Sequence, residues 1–584
     1  MKQFYARTTA YFLRNKKSTA SFCSMLLLGI LPFFFISDAK AQGEPFAAPR
    51  VVANGFSSAW EVVYGPNDSL WVTENVAYRI QRVSIATGVK TLLYIIIPNE
   101  PAYNFAAGQK PQGGCMGMVL HPNLYSTDPL VRAAKPWVYV AFVYRRDFCP
   151  TIAPASADTT KCYFTTKIVR YTYSGNTLTS PTIVLDNIPG SSDHNSGRLA
   201  MSPVIEPGVG GGLNTQYRLY YTVGDMGAGQ FKNKTRAQHA PRLDSLPGKV
   251  LRLNTETDGD AGLDAWVPDD NPFYDPATIQ ARDYVYSYGH RNPQGLAWGL
   301  VGSTYKLYNC EQMDQTDDEV NIIEAGKHYG WDSVTGKSDG NVNGFRQGQT
   351  FNVNESTFSG AAWNSNFKEP MFAFYQSTAA QVAIATPQPN AQWPTIATSS
   401  IAYYGLTKIP GWQHSLMLTA LKKDYVYRLK LNSTGDAVID TIKYFQGFGN
   451  RIRRITISPN GRKFYVAYDA NSNFAAHQGA IVEYVYAGVT LALPDQPGVD
   501  PVEKDEVDIY PNPVKDLITI KGKKNLHKPL RVQLFDMSGL MVKEETSNKN
   551  EFTVNVSNLK PGLYVVKLYN GYNVEVRVQK IYKK

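Results

Sequence analysis

A short aromatic or β-branched segment recurs six times along this chain, each time after a polar or turn-like approach. The copies are Leu70-Trp71-Val72-Thr73, Val138-Tyr139-Val140-Ala141, Leu219-Tyr220-Tyr221-Thr222, Tyr305-Lys306-Leu307-Tyr308, Leu416-Met417-Leu418-Thr419 and Phe464-Tyr465-Val466-Ala467. Five are followed by a second segment with Arg or Glu between apolar residues, such as Ile80-Gln81-Arg82-Val83, Leu251-Arg252-Leu253 and Val482-Glu483-Tyr484. One strand pair cannot bury its own apolar face, so the pairs must stack on one another. Radial repetition of small antiparallel sheets does this while leaving only short edges exposed. The repeat predicts an all-β chain: a six-bladed β-propeller followed by a small C-terminal β-sandwich. Its irregular spacing keeps a sandwich-rich multidomain protein as the alternative. The 46 Gly, 35 Pro and 37 Tyr suit short strands and tight turns better than a helical bundle.

The formal charge of +10 lies at the two ends. Residues 1–41 carry six Lys/Arg against one Asp, and residues 507–584 fourteen against seven Asp/Glu, which leaves −2 for 42–506. A near-neutral middle cannot track phosphates, so no nucleic-acid partner is expected. Lys2, Arg7, Arg14, Lys16 and Lys17 precede the apolar run Phe22 to Ile36 and then Ala39-Lys40-Ala41, which reads as a signal peptide over 1–41 cleaved before Gln42. The run is shorter than the roughly 20 residues a spanning helix needs. Cleavage leaves four of the five cysteines. Cys149 and Cys162 flank a loop that they could bridge in an oxidising compartment, whereas Cys115 and Cys310 carry no metal-site spacing. A small buried hydrophobe is the other reading of each. The propeller is expected over 42–487, a linker over 488–507 and the last β-domain over 508–584.

Three loops of the middle concentrate chemistry. Ser192-Asp193-His194-Asn195-Ser196-Gly197-Arg198 sets an imidazole beside a carboxylate and a guanidinium, the parts of a general base, although most loop histidines are merely solvated. Gly289-His290-Arg291-Asn292-Pro293-Gln294-Gly295 offers Arg and Asn together to an anionic or carbonyl-bearing ligand, or is only a surface turn. The stretch from Glu311 to Glu319, with Tyr329-Gly330-Trp331 and Asp339 after it, gathers hard oxygen ligands of the kind calcium takes. It lacks the glycine and flanking helices of an EF-hand, and a solvated acidic loop is the bland alternative.

Together with Gln112-Gly113-Gly114, Tyr221 to Asp225, Gly248 to Leu253, Trp393-Pro394-Thr395, Leu421-Lys422 and Arg451-Ile452-Arg453, these loops resemble the soluble quinoprotein glucose dehydrogenases of the glucose/sorbosone dehydrogenase family. The resemblance runs from about Val51 to Tyr486. It implies pyrroloquinoline quinone (PQQ) and calcium (Ca2+) as cofactors, and oxidation of an aldose sugar at its anomeric carbon to a lactone. It makes His194 the base that takes the sugar hydroxyl proton, Asp193 the group that orients this base and touches substrate, and Arg291 the cation beside the quinone oxygen. Gln112, Asn292, Thr395, Lys422, Arg451 and Arg453 become cofactor contacts, and Gln230 and Trp393 substrate contacts. The metal would lie on the carbonyls of Met313 and Asp314, and a second one on Glu319, the Tyr329 carbonyl and Asp339. Met313-Asp314 replaces the family's Gly-Pro, Asn390 stands where an aromatic is often found, and insertions at 150–160, 254–282 and 340–390 leave the choice of sugar open.

The tail motifs Tyr510-Pro511-Asn512-Pro513-Val514, Asp536-Met537-Ser538-Gly539, Leu559-Lys560-Pro561-Gly562-Leu563-Tyr564 and Lys583-Lys584 resemble the C-terminal sorting domain of type IX secretion cargo. That implies the type IX machinery as a partner and delivery to the medium or the outer-membrane surface. A non-catalytic propeller that binds glycan or protein and a calcium-dependent lactonase stay open as other functions. The sequence leaves the electron acceptor and a homodimer undecided.

Overall fold

The recurring segment becomes the second strand of a four-stranded antiparallel sheet in all six of its occurrences. The computed structural model describes residues 44–584 apart from 97–110, 149–162, 209–214, 231–232, 234–235, 260–264, 343–354, 356–365, 386–391, 473–476, 489–506, 523–527, 537–540 and 570–574. The expected signal peptide, Cys149, Cys162, Asn390 and most of the expected linker lie outside these residues.

The first strands of the six sheets are Ala59–Gly65, Cys115–Leu120, Ser196–Met201, Asn292–Val301, Thr398–Tyr404 and Ile452–Ile457. Each contacts the first strand of the next sheet, and the last returns to the first. The sixth sheet takes its outer strand from the other end of this region, Arg50–Ala53 pairing with Ile481–Val485. Neighbouring sheets share apolar cores. Trp71 and Ile80 of the first sheet pack with Met118, Val140 and Phe142 of the second, whose Tyr139 and Ile168 pack with Leu199, Leu219 and Tyr221 of the third. Each such side chain contributes about 1.5–3 kcal/mol on burial, so inter-sheet packing is the main cohesive term. The first strands also approach closely: a Cβ on Gly117 would lie 2.4 Å from the Gly197 carbonyl oxygen. Cys115 and Cys310 are buried free thiols, as the small-hydrophobe reading expects.

The ring is tied at its axis by ions. Arg198 is fully buried, pairs with Glu61, and donates from Nε to the Gln294 carbonyl and from Nη2 to the Ser399 carbonyl, each at 3.0 Å. Its guanidinium stacks 4.0 Å from the Trp60 ring, and Arg454 Nε reaches the other Glu61 oxygen at 2.6 Å. Five of the six first strands thus meet in one cluster. Burial pulls the Arg198 guanidinium down to about 10 against the pull of Glu61.

Residues 507–583 form a three-stranded sheet (Val507–Tyr510, Leu517–Gly522, Glu551–Asn555) and a four-stranded one (Met541–Ser547, Leu530–Phe535, Gly562–Tyr569, Glu575–Lys583). Their inward residues, among them Ile518, Val532, Val554 and Val566, share one core. Among the described residues no helix is long and apolar enough to cross a membrane.

Removing one member of a buried ion cluster strands the others, so Arg198→Met is expected to cost about 3–5 kcal/mol. Denaturant unfolding measures this; a cost under about 1 kcal/mol would mean that Arg454 alone compensates Glu61 at the axis.

Candidate active site

Antiparallel sheets that all start at the axis bring the beginning of each first strand and the end of each second strand to the same rim. Gln112 precedes the first strand of sheet two, and Asp193 and His194 that of sheet three. Arg291 precedes that of sheet four, Thr395 that of sheet five and Arg451 that of sheet six; Asp225, Lys422 and Asp469 follow second strands. A cavity of about 430 Å³ opens there, lined by Gln112, Asp193, His194, Arg291, Gln312, Met313, Asp318, Trp393, Thr395, Lys422 and Arg451. A smaller one of about 210 Å³ shares Gln112, Gln312 and Arg451 with it and adds Trp60 and Arg453.

His194 sits in the left-handed region at φ +51°, a conformation that costs an L-residue about 1–2 kcal/mol. The Asn195 side chain holds the loop there: it donates to the Ser191 carbonyl at 2.9 Å and accepts from the Ser191 amide at 2.7 Å. A carboxylate not singled out for this role meets the imidazole: His194 Nδ1 lies 2.7 Å from Asp225 Oδ1. Asp193 Oδ1 accepts from the His194 amide and from Gln112 Nε2, both at 3.1 Å, and stands 3.6 Å from His194 Nε2. Asp225 accepts further bonds from the Gly227 amide at 2.9 Å, Trp331 Nε1 at 2.8 Å and Gln238 Nε2 at 3.2 Å. Burial alone would raise its carboxyl, but His194, Arg291 and the Gly227 amide hold it below the ordinary carboxylate range. An ionised Asp225 fixes the proton on Nδ1 and leaves the Nε2 lone pair on the Asp193 side of the cavity.

Arg291 donates from Nη1 to the carbonyls of Gln312 and Met313, each at 3.0 Å, and from Nη2 to Gln230 Oε1. Asp314 lies 3.6 Å from Nη2. Lys422 donates to Thr395 Oγ1 and is pushed down to about 8 by burial. Arg451 and Arg453 share Asp469 Oδ2 at 3.1 and 3.0 Å. Arg291 Nε, Arg451 Nε and Gln230 Nε2 are buried without a hydrogen-bond partner among the described residues.

Not every expected residue reaches the cavity. Asn292 is not on the cavity wall; its amide bonds Ser196 Oγ, Gln294 and Gln312, and Gln312 lines the cavity. Glu319, Tyr329 and Asp339 also stand off the cavity wall. Glu319 is buried and accepts from the Gly336 amide and Asn321; Tyr329 spends its hydroxyl on the Ile322 carbonyl, and Asp339 caps the Asn341 amide. Among the described residues no three His, Cys, Asp or Glu side chains converge tightly enough to form a metal site by themselves. Burial, with Asp339 and Asp318 nearby, raises Asp317 to about 6, and burial, with Asp339 and Asp317 nearby, raises Glu355 to about 7. Asp317, Glu319 and Glu355 have no Lys or Arg partner among the described residues, and a cation would relieve them.

A model of the family described as "Glucose / Sorbosone dehydrogenase" matches residues 56–476. The chain belongs to the glucose/sorbosone dehydrogenase family. It is 30% identical over 485 residues to quinoprotein glucose dehydrogenase B of Acinetobacter calcoaceticus, covering 76% of this chain and 89% of that one. It is 32% identical over 234 residues to the aldose sugar dehydrogenase YliI of Escherichia coli, covering 40% of this chain and 51% of that one. A crystal structure of a glucose dehydrogenase shares the fold at 22% identity and a TM-score of 0.51, over 75% of this chain and 99% of that one. Residues 508–584 match the model of the secretion system C-terminal sorting domain.

The geometry ranks the two aspartates. Asp225→Asn is expected to lower kcat by about 100-fold or more by misplacing the imidazole proton. Asp193→Asn keeps the backbone contacts to this loop and should cost less; steady-state kinetics of both variants checks the order.

Proposed function

We propose that the protein is an exported PQQ- and calcium-dependent aldose dehydrogenase that oxidises the sugar at its anomeric carbon to a lactone. The observation that carries this reading is one cavity lined by both an oriented imidazole and several cationic side chains. In this reading the six sheets are the blades of a propeller over 42–487, and the two C-terminal sheets are a sandwich over 508–584 that directs type IX secretion, joined by a linker over 488–507.

The residues fit the cofactor. A planar quinone bearing three carboxylates needs several cations, and Arg291, Lys422, Arg451 and Arg453 supply them, two with buried donors still to be used. Gln112, Gln312 and Thr395 add polar contacts. When bound, PQQ would supply the two-electron acceptor for the anomeric hydride. The chain's own part is then specific. His194 Nε2 takes the proton of the anomeric hydroxyl, and the ionised Asp225 stabilises the imidazolium that results. Arg291 supplies positive charge where the acceptor gains negative charge, a stabilisation larger in the transition state than in the ground state. Trp393 offers a flat apolar face to the sugar, and Asp193 and Gln230 its hydroxyl contacts.

A structural calcium would draw on the carboxylates of Asp317, Glu319, Asp339 and Glu355 together with the Tyr329 carbonyl. At Met313 and Asp314 the carbonyls already accept from Arg291 and from the Thr316 amide, which leaves one lone pair on each for a second ion.

Residues 42–506 supplied with PQQ and calcium should reduce a dye with aldoses, and His194→Gln should not. Absence of PQQ binding would leave a glycan-binding propeller or a lactonase. Binding also has a pH signature. The ammonium form of Lys422 pairs with a carboxylate, so PQQ affinity of the apoprotein should be flat below about pH 8 and fall above it by up to about tenfold per unit. Lys422→Met should bind more weakly at pH 7 and lose that dependence, which fluorescence titration reads. Calcium should raise the Tm of the wild type and raise that of Glu355→Gln by less; an equal rise in both would move the ion elsewhere.

A further inference from the structure

Beneath the cavity floor lies a polar chain that no step above uses. Ser287 Oγ is 2.9 Å from His290 Nε2, and His290 Nδ1 is 2.9 Å from Glu311 Oε2. All three are sealed from solvent, so the arrangement resembles a hydrolytic triad but offers no nucleophile to any substrate. The second Glu311 oxygen accepts the main-chain amide of Arg291. The Arg291 carbonyl in turn accepts the Asp225 amide at 2.7 Å, and Asp225 holds His194. One carboxylate therefore stands at the head of a continuous series of bonds through both groups that act in the cavity.

Resting on the dehydrogenase reading, we infer that Glu311 is a positioning residue that fixes the Arg291 main chain, and through it the spacing between the Arg291 guanidinium and the His194 imidazole. A main-chain shift here moves a charge and a base together. A misplacement near 1 Å in such a pair costs about 100-fold in rate. The fold explains why a clamp is needed: Arg291 lies in the crossover from Val285–Tyr288 to Asn292–Val301, and the register of the latter slips between Pro293 and Gly295, opposite Glu311. Glu311 anchors the crossover to the adjacent strand at the place where the ladder is irregular.

The test compares Glu311→Met, of similar volume but without hydrogen bonds, with Glu311→Gln, whose carbonyl can still accept the Arg291 amide. Two readings are taken: hydrogen exchange of the Arg291 amide in the apoprotein, and kcat and KM after loading with PQQ. The Met variant is expected to lose protection at Arg291 selectively and to drop kcat by about 100-fold with KM little changed, and the Gln variant to recover most of both. If the Met variant does not fold, Glu311→Asp, a methylene too short to span both partners, replaces it with the same expectations. Unchanged Arg291 protection, a uniform rise in exchange across the sheets, or a Gln variant as impaired as Met overturns the inference. A wild type that fails to bind PQQ defeats the functional reading while exchange still judges the clamp. A wild type that turns over beside an equally active Met variant defeats the clamp alone.

Discussion

A ring of sheets closed on itself converges on an axis, and whatever fills that axis decides whether the ring is one rigid body. Here it is the cluster of Glu61, Arg198 and Arg454. Taking an arginine fully out of water costs several kcal/mol, and a single carboxylate does not recover it. Arg198 is offset by a carboxylate, two main-chain carbonyls and the face of Trp60, which together satisfy its donors on three sides. Because those partners come from different sheets, the bonds that stabilise the ion also set the sheets' mutual spacing. The loops at the rim inherit that spacing.

The rim in turn is an exercise in separating charges. A base must sit near several cations without being protonated or displaced by them. Asp225 shields His194 from one side, while Asp469 spreads its charge over Arg451 and Arg453. Asp318 is buried beneath Met313 and accepts the amides of Met313, Ile396 and Ala397, so it fixes two turns of the cavity wall. Arg291 and Arg451 nevertheless each keep a buried Nε donor without a partner among the described residues.

What the sequence disclosed follows from this geometry. The repeat was legible because the middle of each second strand is largely buried and draws on aromatic, β-branched and other apolar residues, as in Leu70-Trp71-Val72-Thr73 and Leu416-Met417-Leu418-Thr419. His194, Arg291 and Arg451 were legible because each sits in a short loop beside a strand with glycine close by, and Lys422 because it closely follows the recurring strand. Asp225 lay within a recognised motif, but its bond to His194 Nδ1 had no local signal, since adjacency in sequence says nothing about which carboxylate meets that nitrogen. Asn292 was read as a cofactor contact from its place beside Arg291; that its amide bonds Ser196, Gln294 and its cross-strand partner Gln312 has no local signal. Glu311, Asp469 and Glu355 had no local signal at all, because their partners lie on other strands or in distant loops.

These later residues share a feature that bears on how such a site is built. Each is an acid that acts on a backbone or on another side chain, and none faces the main cavity. Groups that touch a ligand are constrained by the ligand's chemistry and recur as motifs; groups that hold them are constrained only by local strand register. The Glu311 carboxylate bonds an amide, the Arg291 carbonyl bonds another, and the Asp225 carboxylate bonds an imidazole. The precision of the base relative to the cation is therefore carried by main-chain hydrogen bonds between loops of sheets three and four. A rigid axis is what allows bonds of that kind, each worth only about 1 kcal/mol net, to hold two catalytic groups in register.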